Sequence, residues 1–235
     1  MSAKLFAVAA RAALLFAIGA SAASAAPIIT SPDSLKPGDQ YRLAFITLGK
    51  IQATSSDIGT YDAFVTAQAN SSAALAALGT TWRIIGSTQT LDAKTHTSTD
   101  DSPAGLTGVP IFRLDGLRIA DNYDDFWDGT IQRPLYVAQD GTVLDTCCGS
   151  WTGTMANGLS GGVYALGASD SARDGAPNGT GTEWIQTSPH GSINYQYVYG
   201  ISNLLTVQGA PEPATIALLS LGLAGLAAAR RRTRR

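Results

Sequence analysis

Sixteen consecutive residues without a charge, Ala214 to Ala229, run into Arg230, Arg231, Arg232, Arg234 and Arg235 at the end of a 235-residue chain. The run has no polar stripe, so it does not fit a surface helix, which needs one dry face and one wet one. As a helix it would be roughly 24 Å long, slightly short of a hydrocarbon core of about 30 Å. Bilayer thinning or snorkelling arginines close that gap. A chain exported by its N-terminus would stall here, with the guanidinium groups held on the cytoplasmic side by the positive-inside bias. Pro211-Glu212-Pro213 stands immediately before the run.

The other end is also an address. Residues 1–25 carry Lys4 and Arg11, then a short apolar stretch around Ala12 to Ala20, then Ala23-Ser24-Ala25. That order predicts a secretory signal peptide cleaved before Ala26. Between the two ends, residues 26–209 hold nine basic and 17 acidic side chains, a net of −8, against −2 for the whole chain. An acidic body repels phosphate backbones, which excludes nucleic acid as a partner. With 45% hydrophobic residues the chain is no disordered polyelectrolyte, and its 25 glycines show no triplet period.

The tripartite tail (Pro211-Glu212-Pro213, hydrophobic helix 214–229, basic residues 230–235 led by Arg230, Arg231 and Arg232) resembles a PEP-CTERM sorting signal. The resemblance spans 210–235. It implies a Gram-negative source, export across the inner membrane, a transient membrane anchor, and processing by an exosortase-type membrane enzyme. The destination it implies is the cell surface or an extracellular matrix rich in polysaccharide.

Residues 26–209 read as one α+β domain. Tyr41, Leu43 and Phe45 alternate with Arg42 and Ala44, which predicts a strand. A helix should start near Asp57, with Ile58, Tyr61, Phe64 and Val65 on its apolar face and Asp62 and Gln68 outside it. A second helical piece spans Ser72 to Leu78 and stops at Gly79. Trp82 to Ser87 returns as a strand, and 95–103 is loop-like. Val109 to Leu114 is a strand that breaks at the Asp115-Gly116 turn. Leu135 to Leu144 reads as a hairpin. The Gly- and Ser-rich stretch 149–181 predicts a long excursion with little regular structure. Tyr195 to Tyr199 alternates again and closes the sheet.

Three stretches give this body a resemblance to the C-type lectin-like fold, in its endostatin-like branch. They are Thr81 to Thr88, Gly108 to Gly129, and Val143 to Thr154, where Thr152 stands in place of the branch's usual histidine. The resemblance implies a twisted mixed or antiparallel sheet, two short helices and a long irregular loop region. It does not carry the branch's histidine-rich zinc site or its heparin-binding arginines, because the chain has only His96 and His190 and its body is acidic.

Candidate chemistry is sparse. Gly158-Leu159-Ser160-Gly161-Gly162 satisfies G-x-S-x-G, with Asp170 or Asp174 and then His190 downstream. A nucleophile elbow needs a strand before the serine and a helix after it, and neither is predicted. Asp121, Asp124, Asp125 and Asp128 share one side of a predicted helix, a solvated face rather than a converging Ca²⁺ site. Asp170, Asp174, Asn178 and Glu183 supply candidate oxygen ligands for Ca²⁺ in the long loop. The Glu-Pro-Asn motif of calcium-dependent lectins is nonetheless broken, since Ala176 precedes Pro177-Asn178. Cys147 and Cys148, the only cysteines, are neighbours. A vicinal disulfide, bonds to another chain and free thiols stay open for them.

The sequence therefore predicts a non-enzymatic exported protein with glycan or matrix as its ligand. The alternatives are a self-associating surface protein without a small ligand and a serine hydrolase. Deleting residues 210–235 should move the protein out of the membrane fraction, as immunoblots of fractionated cells would show. Unchanged fractionation would contradict the anchor.

Overall fold

A computed structural model describes residues 26–100, 108–144 and 149–209. The predicted signal peptide, the Cys147-Cys148 pair and the tail lie outside them. Among the described residues no helix is long and apolar enough to cross a membrane. The predicted hydrophobic helix at 214–229 falls outside that range.

The fold is mixed α+β, with one nine-stranded sheet and few, mostly short helices. Strand β1 (Gln40–Ile46) is followed by α1 (Ile58–Asn70), α2 (Ala73–Ala76), β2 (Trp82–Ile84) and α3 (Ala93–His96). Next come β3 (Ile111–Arg113), β4 (Arg118–Ala120), α4 (Tyr123–Phe126), β5 (Ser150–Trp151) and β6 (Ser171–Gly175). The chain closes with β7 (Pro189–Gly191), β8 (Tyr197–Ser202) and β9 (Leu205–Thr206). The main path runs β4-β3-β1-β8-β5-β6-β7, with β2 added on β8 and β9 on β1.

At the centre β1 and β8 lie antiparallel, with Phe45 opposite Gly200. On its other edge β1 runs parallel to β3. The free edge of β8 is shared by β2, antiparallel, and β5, parallel. Both faces of β1 are covered. Leu43 and Phe45 join the α1 side with Tyr61, Val65, Ala69 and Trp82. Ala44 and Ile46 join Phe126, Trp184, Tyr199 and Ile201 on the other side. Helix α1 seats closely because residue 200 is glycine. A Cβ there would meet Val65 Cγ1 at 2.6 Å and Phe45 Cε1 at 2.8 Å. Overpacking of that kind costs about 1–3 kcal/mol.

Several sequence expectations need correction. Residues 149–181 are mostly irregular, as expected, but they also contain the two-residue β5, a 3-10 turn at Gly162–Tyr164 and β6. Their small side chains hide strands that backbone pairing creates. The 135–144 hairpin is a tight turn with one bridge between Val137 and Val143 rather than a ladder. The closing strand starts at Tyr197, because residues 191–196 form a turn and a bridge to Ile51. Among the described residues there are four α-helices, three of them one turn long, against the two short helices that the resemblance implies: α1, α2 and α4 lie where the sequence pattern places helices, and α3 is the added one.

Asp62 and Gln68 do not face open solvent. Asp62 accepts from the Ile84 N–H at 2.9 Å and pairs with His96 Nε2 at 2.9 Å. Gln68 accepts from the Gly49 N–H at 2.7 Å and from Gln139 at 3.0 Å. The helix therefore docks by polar clamps at its rim as well as by its apolar stripe. The predicted Asp57 cap is present, accepting from Gly59 N–H at 2.9 Å.

The end of β3 is held by a buried charge. The Arg113 guanidinium donates to both carboxylate oxygens of Asp115 and lies 4.4 Å from the Tyr136 ring centre. Burial alone would raise the Asp115 carboxyl, but the hydrogen bonds and charge of Arg113 outweigh it and hold it below its ordinary 3.8. A depressed folded-state pKa gives stability that is complete above 3.8 and lost as pH falls through the lower folded value. Asp115→Asn should therefore destabilise at neutral pH, with the gap from wild type closing in strong acid. Urea unfolding across a pH series measures it, and a gap independent of pH would contradict the pair.

Candidate functional site

A cleft of about 460 Å³ opens where β6, β7 and the start of β8 meet. Lys50, Asp174, Asn178, Thr187, His190, Tyr195 and Gln196 contribute side chains to it. Pairing of Ala172 with His190 fixes the β6–β7 register and brings the His190 ring beside Asp174. His190 Nδ1 lies 3.1 Å from Asp174 Oδ2, and the Thr187 hydroxyl donates to Oδ1. The aspartate side chain is 5% exposed and the histidine 53% exposed. A buried carboxylate thus orients an imidazole that the cleft can reach.

The charge on Asp174 is felt behind the cleft. Burial, reinforced by that carboxylate, pushes the Tyr199 phenol well above its ordinary range. Its hydroxyl donates to the Trp184 carbonyl at 3.0 Å. Trp184 in turn packs against Phe126, Trp127 and Tyr199. The side of Asp174 away from the cleft is therefore backed by a packed aromatic cluster.

One rim is aromatic and exposed. Asn194 N–H donates to the Gly191 carbonyl at 3.0 Å, Trp151 Nε1 to the Asn194 carbonyl at 3.2 Å, and Gln52 Nε2 to the Ile193 carbonyl at 2.6 Å. These bonds fix a turn whose flanking side chains, Ile193 and Tyr195, are 70% and 65% exposed. The Lys50 ammonium sits 4.6 Å from the centre of the Tyr197 ring. Fixed donors and acceptors beside an exposed ring suit a polyhydroxylated ligand with apolar C–H faces.

The predicted Ca²⁺ ligands separate in space. Asp174 and Asn178 both line the cleft, whereas Asp170 and Glu183 do not. Asp170 is exposed, and its carbonyl accepts from Ser192 N–H. Glu183 accepts from Thr180 and Gly181 N–H, and backbone N–H groups, its own first, hold its carboxyl below the usual range. Among the described residues, no three His, Cys, Asp or Glu side chains gather as a metal-holding group.

Ser160 donates its hydroxyl to the Thr88 carbonyl at 2.8 Å, and its N–H to Asp92. His190 and Asp174 line the cleft as a pair, and Ser160 is not among the residues lining it, so the structure does not bring the G-x-S-x-G serine to the histidine there. The predicted acidic helix face shortens to the single turn of α4. There Asn122 caps Asp125 N–H, Asp125 accepts from Asp121 N–H, Asp121 pairs with Arg118, and Asp128 accepts from Thr130. These carboxylates hold local structure.

Sequence reasoning missed Lys50, Thr187, Tyr195 and Gln196 as members of one cleft. Nothing local marks them, because Lys50 reaches the site only through β1 pairing with β8. Comparison with family models matches residues 210–232 to the PEP-CTERM protein-sorting motif. Comparison with curated proteins returns no match for the chain. The match supports an exosortase-processed exported protein with a transient membrane anchor.

Asp174→Ala should lower stability by about 1 kcal/mol, since it removes the buried carboxylate that accepts from the half-buried Thr187 hydroxyl. Denaturant unfolding checks this. An unchanged midpoint would show that Asp174 does not organise the cleft.

Proposed function

We propose that the protein is an exported, exosortase-processed component of the cell surface or extracellular matrix, and that its body is a non-enzymatic lectin-like module binding a matrix glycan. The observation that carries this reading is the cleft itself: an oriented Asp174–His190 pair and Asn178 beside the exposed ring of Tyr195. Hydroxyl groups suit the polar wall, and the C–H face of a sugar ring suits the aromatic rim. The lectin-like assignment draws support from the three stretches that prompted it. Thr81 to Thr88 holds β2, Gly108 to Gly129 holds β3, β4 and α4, and Val143 to Thr154 holds β5. The antiparallel pairing of the first and last long strands fits the same architecture. Fold analogy alone is weak evidence of function, so the argument rests on the cleft.

The test is a glycan array probed with the full exported protein, with and without added Ca²⁺. Binding to a neutral polysaccharide is expected, and Tyr195→Ala should weaken it at least tenfold, on the order of 1.4 kcal/mol. A calcium requirement would bring Asp174 and Asn178 into the role of ligands. No binding in either condition, together with concentration-dependent light scattering, would favour the self-associating surface protein instead.

A further inference from the structure

The described chain ends next to a second concavity, and its position fixes which way the molecule faces. This groove, about 670 Å³, is lined by residues that include Tyr41, Ala77, Leu78, Thr80, Leu204 and Gln208. It lies at the opposite end of the central strand pair from the glycan cleft. Gln196 precedes β8 and lines the cleft, while Leu204 follows β8 and lines the groove. The antiparallel partner repeats the arrangement, with Tyr41 of β1 in the groove and Lys50 beyond the far end of β1 in the cleft. Eight residues of extended chain between Gln196 and Leu204 separate the two poles by up to roughly 26 Å.

The tail leaves from the groove pole on a short tether. Strand β9 pairs with β1, and beyond it Val207 is still held, donating to the Asp39 carbonyl at 2.9 Å and accepting from Gly38 N–H at 3.0 Å. Ala214, the first residue of the uncharged run, is seven residues further on. Fully extended, that tether reaches about 24 Å. A domain of ~180 residues has a radius of gyration of about 16 Å and a diameter of about 40 Å. The tether is therefore shorter than the body it carries, and the body cannot be inverted while 214–229 is in a bilayer.

Charge favours the same face. Residues 26–209 have nine basic and 17 acidic side chains, so a face without formal charge gives up the least hydration on approaching lipid. None of the described residues lining the groove carries a formal charge. Lys36 and Asp39, in the turn that holds Val207, are opposite in sign.

We infer that the groove pole is the face apposed to the lipid surface, so that the anchored protein stands with the Asp174–His190–Tyr195 cleft directed away from the membrane. This inference rests on the sorting reading of the tail. It makes the anchored form competent to meet its ligand before the tail is removed, because the end that binds and the end that is processed do not compete for space.

The test uses the full chain with Cys147 and Cys148 replaced by serine, expressed in a strain lacking the processing enzyme. Ala77→Cys and Leu204→Cys probe the groove pole, and Ile193→Cys probes the cleft pole. In spheroplasts a 5 kDa maleimide-polyethylene glycol, a size chosen as roughly that of a small domain, should label Ile193→Cys at least about fivefold faster than either groove variant. After detergent solubilisation all three should react alike, and resistance of each variant to limited proteolysis checks that it is folded. A flexible Gly/Ser insert of about 20 residues after Gly209 should abolish the difference in spheroplasts.

Equal labelling without the insert, in a chain that pellets with membranes, overturns the orientation and leaves the sorting reading standing. A chain absent from the membrane pellet overturns both. Protection of the groove variants only in the strain that has the processing enzyme would assign this face to that protein, and would overturn the lipid assignment.

Discussion

The antiparallel contact between β1 and β8 is the constraint on which the rest of the molecule depends. These two strands come from opposite ends of the described chain, and their pairing puts Phe45 against Gly200 and Ile46 against Tyr199. Every other strand is added to this pair directly or through one that is. Because side chains alternate along a strand, a single buried β1 feeds two cores. The face toward α1 is filled by Tyr41, Leu43 and Phe45, and the face toward Trp184 by Ala44 and Ile46. Arg42 shares the second face. It is buried nonetheless, with its guanidinium donating to the Ser202 and Ser98 carbonyls and to the Tyr123 hydroxyl. A buried guanidinium tied to three separate segments fixes where those segments lie.

The same pair separates the molecule's two ends in space. One end gathers β6, β7 and the fixed 191–196 turn into the polar cleft, and the other releases the tail from β9. The polar cleft and the end of β9 thus lie at opposite ends of the central strand pair. A hydrogen-bonded network backs the cleft, since Asp174 holds Thr187 and His190 in front while Tyr199 and Trp184 pack behind.

Parts of the fold were legible because they repeat at a short period. The alternation at Tyr41, Leu43 and Phe45 marked β1, and the Ile58, Tyr61 and Val65 spacing with Asp57 before it marked α1. The Asp115-Gly116 turn was equally local. Strands β5 and β6 were hidden in a Gly- and Ser-rich stretch, since their stability comes from backbone pairing with distant strands and not from their own side chains. Asp62 and Gln68 looked solvent-facing on a helical wheel, but the sheet edge supplies them with N–H partners from residues 84 and 49.

The candidate site was legible only in fragments. Asp174, Asn178 and His190 were visible as chemistry-bearing residues, but sequence order offered Asp174 two groupings, with Asp170 and Glu183 as cation ligands and with His190 behind Ser160. Register chose between them. Pairing of β6 with β7 turned Asp174 toward His190 and away from the other two carboxylates.

By itself the sequence determined the destination: a charge-free run, a guanidinium cluster and a Pro-Glu-Pro prefix act as a linear signal that works without folding. Tertiary structure alone decided the cleft and the end of the sheet at which it lies. Its walls come from residues as far apart as Lys50 and Gln196, and only long-range strand pairing brings such positions together.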